Sequence, residues 1–288
     1  MSLTIGLIDY LNTMPFHFDL AERLQGSDIQ FERGVPSAMN RMLQSGEIVL
    51  APISAIEAAR HANDYVVLPG LSIASLGAVK TVLLFSWASD ISELDGQSIA
   101  LTDHSATSVE LLKVLCRERY QIDPTFTFTK QHLPSMLALH EGALIIGDDA
   151  LVEGAIHRAL SGSRGWGLPY IYDLSDEWLK MTGLPFTFSV WAARKDRAQD
   201  LAAVGVFDAL YASTEQGLTE TGRDMLAQAY AGRLGLPAGI CKRYLRDLRY
   251  HLMDDDLSGL KLFLELALDD FKWESLEFWN EQTTVSVL

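Results

Sequence analysis

The chain has 288 residues, 48% hydrophobic and 21% charged, a balance that fills a core and excludes a disordered polypeptide. Asp and Glu number 38 against 23 Lys and Arg, for a formal net charge of −15. That field opposes a nucleic-acid backbone, and it opposes a small anion unless local backbone and side-chain donors hold it.

Two cysteines, Cys116 and Cys241, stand far apart in helix-like sequence. They are too few and too distant for a disulfide framework or a zinc site and read as buried thiols in a reducing compartment. Residues 1–9 have no basic segment followed by a long apolar one, and no apolar run reaches membrane-span length. Both predict a cytoplasmic protein with no membrane partner. Composition carries no signal for oligomeric state.

In chain order, 4–8 reads as a buried strand, followed by a turn at Asn12 and Thr13 into a helix with Pro15 at its first position and Gly26 at its exit. A strand over 29–32 precedes a helix from Pro36 to Gly46, with Met39, Met42 and Leu43 on one face. A strand over 48–51 leads to a capping-box pattern, Ser54 to Glu57, and a third helix. This alternation implies a mainly parallel sheet.

A β-rich run over 81–85 leads through a polar connection to a strand at 98–101. Thr107 to Glu110 repeats the capping-box pattern before a helix reaching Tyr120. Strands at 125–129 and 143–146 flank a helix over 133–140, and another helix starts at Ala150. After a β-rich run at 186–193, helices are predicted at about 196–214, 218–233, 239–252 and 257–279.

The layout divides into one lobe of residues 1–87 plus 189–288 and a second lobe of 88–188. Two crossing segments would leave a cleft between them. Segments 9–15, 51–54, 102–108 and 147–148 each follow a predicted strand, where open α/β sheets bind ligands.

Several of these segments resemble a known family. The run Asp9-Tyr-Leu-Asn-Thr-Met-Pro15 is similar to the N-terminal motif of the MqnA chorismate dehydratases of the futalosine route to menaquinone. The likeness continues through 35–40, 77–86, 105–108, 144–151 and 178–186 in the same order. The resemblance implies a two-lobed, periplasmic-binding-protein-like α/β fold of type II with a helical C-terminal part. It implies conversion of chorismate, a dianion, to 3-[(1-carboxyvinyl)oxy]benzoate plus water, with no metal or other cofactor. It also implies that the substrate's own enolpyruvyl carboxylate is a candidate base.

Asn12 matches the Asn of the family's Leu-Asn motif, which implies that it orients the ring or the leaving hydroxyl. On the residues alone it stabilises a strand-to-helix turn. Thr81 falls where the family is expected to carry Ser, so the resemblance makes it a hydroxyl donor to the substrate. By propensity it is an ordinary strand residue. These two are the expected catalytic pair.

Thr13, Ser54, Gly147 and Asp148 are expected to bind substrate. So are Ser105, Ala106, Thr107 and Ser108, around a helix start where free amides favour an anion, although Thr107 also reads as a plain N-cap. Asp148 is a candidate base or a second N-cap. His104, in the predicted cleft loop, is a lesser candidate, and His132 is a further one. His17 reads as a helix-surface residue, and Lys80 as a strand residue facing away from Thr81. Phe271, Trp273, Phe278 and Trp279 read as the packing face of the last helix. Two rival functions stand beside the dehydratase: an MqnD-like 1,4-dihydroxy-6-naphthoate synthase, and a non-catalytic small-anion-binding protein.

Overall fold

The computed structural model describes residues 3–160 and 168–280. Ten strands run in chain order: β1 (Leu3–Ile8), β2 (Ile29–Gly34), β3 (Leu50–Ser54), β4 (Tyr65–Ser75), β5 (Val82–Ser86), β6 (Ser98–Thr102), β7 (Thr125–Thr129), β8 (Gly142–Ile146), β9 (Tyr170–Asp173) and β10 (Phe186–Arg194). They form two five-stranded sheets, ordered β2-β1-β3-β10-β4 and β7-β6-β8-β5-β9.

Burial follows position in the sheet. The inner strands β3, β5 and β8 are buried on both faces and read as continuous apolar runs, whereas the edge strands β2 and β7 are partly exposed along their length. The expected mainly parallel arrangement holds for β2-β1-β3 and β7-β6-β8. Each sheet is mixed, however, because its fourth strand runs antiparallel to both neighbours.

The fourth strands also move the boundaries drawn from sequence. β5 precedes residue 87 but pairs with β8 and β9 of the second sheet. A strand buried on both faces carries no alternation to say which sheet it joins. The chain therefore crosses over 76–81 and again between β9 and β10, not near Ser86 and Ser189.

The helices are α1 (Leu20–Arg23), α2 (Pro36–Ser45), α3 (Ala55–Arg60), α4 (Ala106–Val114), α5 (Leu133–Leu137), α6 (Gly147–Leu160), α7 (Leu174–Thr182), α8 (Ala198–Ala203), α9 (Val206–Leu218), α10 (Glu220–Leu234), α11 (Ala238–Asp247) and α12 (Asp254–Ala267). The predicted first helix is instead a 3-10 segment, Leu11–His17, with Pro15 inside it, followed by α1. The segment lies close against α9, where Gly217 is essential. A Cβ there would sit 2.5 Å from the Pro15 carbonyl oxygen.

Neither capping box forms as expected. Ser54 makes no side-chain cap bond, and Ser105 rather than Thr107 caps α4, accepting the Ser108 amide. In the C-terminal part Gly205, at φ 75°, separates α8 from α9. The last helix ends at Ala267, short of the aromatic run. Phe278 and Trp279 are extended beside β4, where the Val67 amide donates to the Glu277 carbonyl and Val67 accepts from Trp279, both at 2.8 Å. The tail thus covers one part of the β4 edge, and Arg249 and Tyr250 cover another. Among the described residues no helix is long and apolar enough to cross a membrane.

Candidate active site

Sixteen residues from both sheets and the segments beside them line a cleft with about 550 Å³ of free space including its mouth. From the first sheet come Ile8 at the end of β1, Ser54 at the end of β3, Ile73 of β4 and Phe188 and Ser189 of β10. From the second come Val82 at the start of β5 and Ile146 at the end of β8, with Ser105 and Ser108 at the start of α4. Asn12, Thr13 and Thr81 join them, as does Gly147. The lining contains no Lys, Arg, Asp or Glu.

Asn12 stands on the 3-10 segment, and its buried Oδ1 has no hydrogen-bond partner. Its side chain is close enough to the Tyr244 hydroxyl to act on it electrostatically. Since Oδ1 is unpartnered, the amide NH₂ is the group that meets Tyr244. Two neighbours hold the segment. Thr13 Oγ1 donates to the carbonyls of Ile8 and Tyr10, at 2.6 and 2.8 Å, and the Leu11 amide donates to Asp148 Oδ1 at 3.0 Å. Thr13 therefore lines the cleft, but its single hydroxyl hydrogen serves the turn.

Thr81 is fully buried just ahead of β5, with its Oγ1 2.9 Å from the Tyr244 hydroxyl. Its carbonyl accepts the Gly147 amide at 2.9 Å. Upstream, Asp173 accepts the amides of Val79 and Lys80, at 3.0 and 2.6 Å, and caps α7. Burial pushes the Asp173 carboxyl up to about 6 against the pull of these amides. Lys80 is not a strand residue. It holds a left-handed φ of 67° and directs its ammonium to Asp247.

Ser54 Oγ accepts from Asn40 Nδ2 at 3.2 Å while its own amide donates to Asn40 Oδ1 at 3.1 Å. Its hydroxyl hydrogen is left to face the cleft. Ser105 Oγ donates to Ser108 Oγ at 3.0 Å and accepts the Ser108 amide, which leaves the Ser108 hydrogen free in the same way. The amides of Ala106 and Thr107 open α4 and have no acceptor within the helix. The helix dipole adds partial positive charge there.

Three expected binding residues fall outside the lining. Ala106 presents no side chain to the cleft. Thr107 is fully buried, and its Oγ1 accepts the Ile56 amide at 3.2 Å, tying α3 to α4. Asp148 turns into a neighbouring recess with Gln131, Asp149 and Arg233. Burial raises its carboxyl to about 6, opposed by the Leu11 amide. Its oxygen is engaged on the back of the Asn12 segment, away from the lining.

Gly147 admits Tyr10. At φ 70° a Cβ would meet the Tyr10 ring at 2.7 Å. Tyr10 lines the cleft, and its hydroxyl lies 3.3 Å from His104 Nδ1. His132 lies in the Asp148 recess. The ring nitrogens of His17 are buried and unpartnered rather than on a helix surface. Sequence reasoning missed Tyr10, Ser189 and Tyr244. Ser189 Oγ is buried in the lining with no partner, and Tyr244 comes from α11.

A family model described as menaquinone biosynthesis matches residues 3–269. The chain belongs to that family. A chorismate dehydratase of Thermus thermophilus is 35% identical over 91% of this chain and 93% of its own length. One of Campylobacter jejuni subsp. jejuni is 29% identical over 68% and 70%. Solved structures with the same fold include a protein of Archaeoglobus fulgidus, with TM-score 0.69 and 19% identity, covering 92% of this chain and 96% of that one. Another is the alkanesulfonate-binding protein of Xanthomonas axonopodis pv. citri bound to MOPS, with TM-score 0.65 and 17% identity over 94% and 95%. The fold is the periplasmic-binding-protein type expected from the sequence resemblance.

Proposed function

We propose that this protein is a chorismate dehydratase, a hydro-lyase acting in the cytoplasm in menaquinone biosynthesis. Chorismate would lose the proton at C3 and the hydroxyl at C4 as one water, leaving the aromatic ring of 3-[(1-carboxyvinyl)oxy]benzoate. Aromatisation drives the step. The protein's task is to hold one pose, stabilise developing charge and exclude alternatives.

The observation that carries this reading is the meeting of Asn12 and Thr81 in one uncharged cleft within a chain 35% identical to a chorismate dehydratase. Two carboxylates would be met by hydroxyls of Ser54, Thr81 and Ser108 and by the first amides of α4. Asn12 would orient the ring or the departing hydroxyl through its unpartnered Oδ1. The lining offers no carboxylate to take the C3 proton, which favours the enolpyruvyl carboxylate of the substrate itself as base.

The test is incubation of purified protein with chorismate, followed by chromatography and mass measurement. Loss of one water with formation of an aromatic enolpyruvyl ether, faster than the background, is the expected result. Tight binding without turnover would instead indicate an anion-binding protein. Neither binding nor turnover by folded protein would favour the naphthoate synthase.

A further inference from the structure

The catalytic roles given above to Asn12 and Thr81 leave a buried phenol beside them unused. Tyr244 is fully buried on α11, in the C-terminal part of the chain, and its hydroxyl meets both residues. A phenol is costly to bury unless its hydroxyl is paired, and here both partners belong to the cleft.

Hydrogen counting favours one direction for the contacts. Asn12 presents its NH₂ to Tyr244, because its Oδ1 has no partner. The Tyr244 oxygen therefore accepts from Asn12. Either oxygen of the Tyr244–Thr81 pair could donate, but with Asn12 Oδ1 unpartnered the acceptor in reach of the Tyr244 hydrogen is Thr81 Oγ1, 2.9 Å away. With its oxygen accepting from Tyr244, Thr81 has its own hydrogen left for the cleft. One hydroxyl thus sets the acceptor face of Asn12 and the donor face of Thr81 at once. Burial keeps the phenol protonated, well above its ordinary range, so the direction does not reverse at working pH.

We propose that Tyr244 is a positioning residue for the dehydration, orienting Asn12 and Thr81 through the relay Asn12 to Tyr244 to Thr81. The proposal rests on the dehydratase reading, and wild-type turnover of chorismate is measured first so that the two fail separately.

Tyr244→Phe removes one oxygen and keeps the ring. The expected result is a fall in kcat of at least about tenfold with KM for chorismate changed less than about threefold. In the Tyr244→Phe background Thr81→Val should cost much less than in the wild type, since the hydroxyl it removes is already misdirected. Unchanged kcat, or strictly additive losses in the double variant, would overturn the relay. Hydrogen positions in a neutron structure of the intact protein give an independent reading that needs no variant. A Tyr244 hydrogen directed at Thr81 Oγ1 supports the proposal. A Thr81 hydrogen directed at Tyr244 overturns it.

Discussion

The two sides of the cleft differ in how their polar groups are satisfied. On the first-sheet side Asn12 Oδ1 and Ser189 Oγ are buried with no partner. On the second-sheet side Ser105 and Ser108 bond one another, and Thr107 accepts the Ile56 amide. An unmade hydrogen bond in a buried place costs about 1–3 kcal/mol, so orphaned atoms in a cleft mark where a ligand completes the bonding. Satisfied groups shape the wall and offer spare hydrogens and helix amides.

Substitutions at groups that face the ligand and at groups satisfied within the wall should therefore separate into losses of turnover and losses of stability. The largest effect is expected at Asn12. Asn12→Ala should lower kcat/KM about 10³-fold with the thermal midpoint little changed, and an unchanged kcat/KM would break the comparison at its strongest point. Thr81→Val should cost about 10²-fold, whereas Thr81→Ser, which keeps the hydroxyl, should stay within about twofold. A fully active Thr81→Val would show that the hydroxyl is dispensable.

His17 sharpens the contrast from behind the 3-10 segment. Burial, aided by Arg33 and opposed by Asp9, lowers its imidazole to about 3. The unfolded chain takes up a proton below the ordinary value near 6.5 that the fold refuses. Stability is therefore complete above 6.5 and falls as pH drops toward 3. By pH 5 the loss is about 2 kcal/mol relative to His17→Gln, read from urea midpoints at pH 7 and 5. Parallel midpoints for the two proteins would place the ring in solvent. The smallest effect is on the satisfied side. Thr107→Val should cost about 1 kcal/mol of stability with turnover nearly unchanged.

Much of the frame was legible in the sequence. β7 is a short run of alternating Thr and Phe, and β8 is an apolar run closed by Gly-Asp, so their periods and ends are local signals. β4 was hidden because Pro69 and Gly70 punctuate it. The strand passes through them with a register shift against β10.

The cleft was legible where side chains follow strand ends, as at Asn12, Ser54 and Ser105. It misled at Asp148, one residue beyond Gly147, because the direction of a side chain is set by the helix it enters. Tyr244 could not be seen at all. It shares the buried face of α11 with Cys241 and Leu245, and reads as core, 163 residues from the threonine it bonds.

An uncharged cleft that dehydrates chorismate would need no protein carboxylate as base. The pH dependence of kcat/KM for chorismate tests it most directly. Asp148, raised to about 6, is the carboxyl beside the Asn12 segment best placed to betray a protein base. The expected profile has no inflection near pH 6 and is nearly the same for Asp148→Asn. A limb near pH 6 in the wild type that vanishes in Asp148→Asn would contradict it and return the proton to the protein.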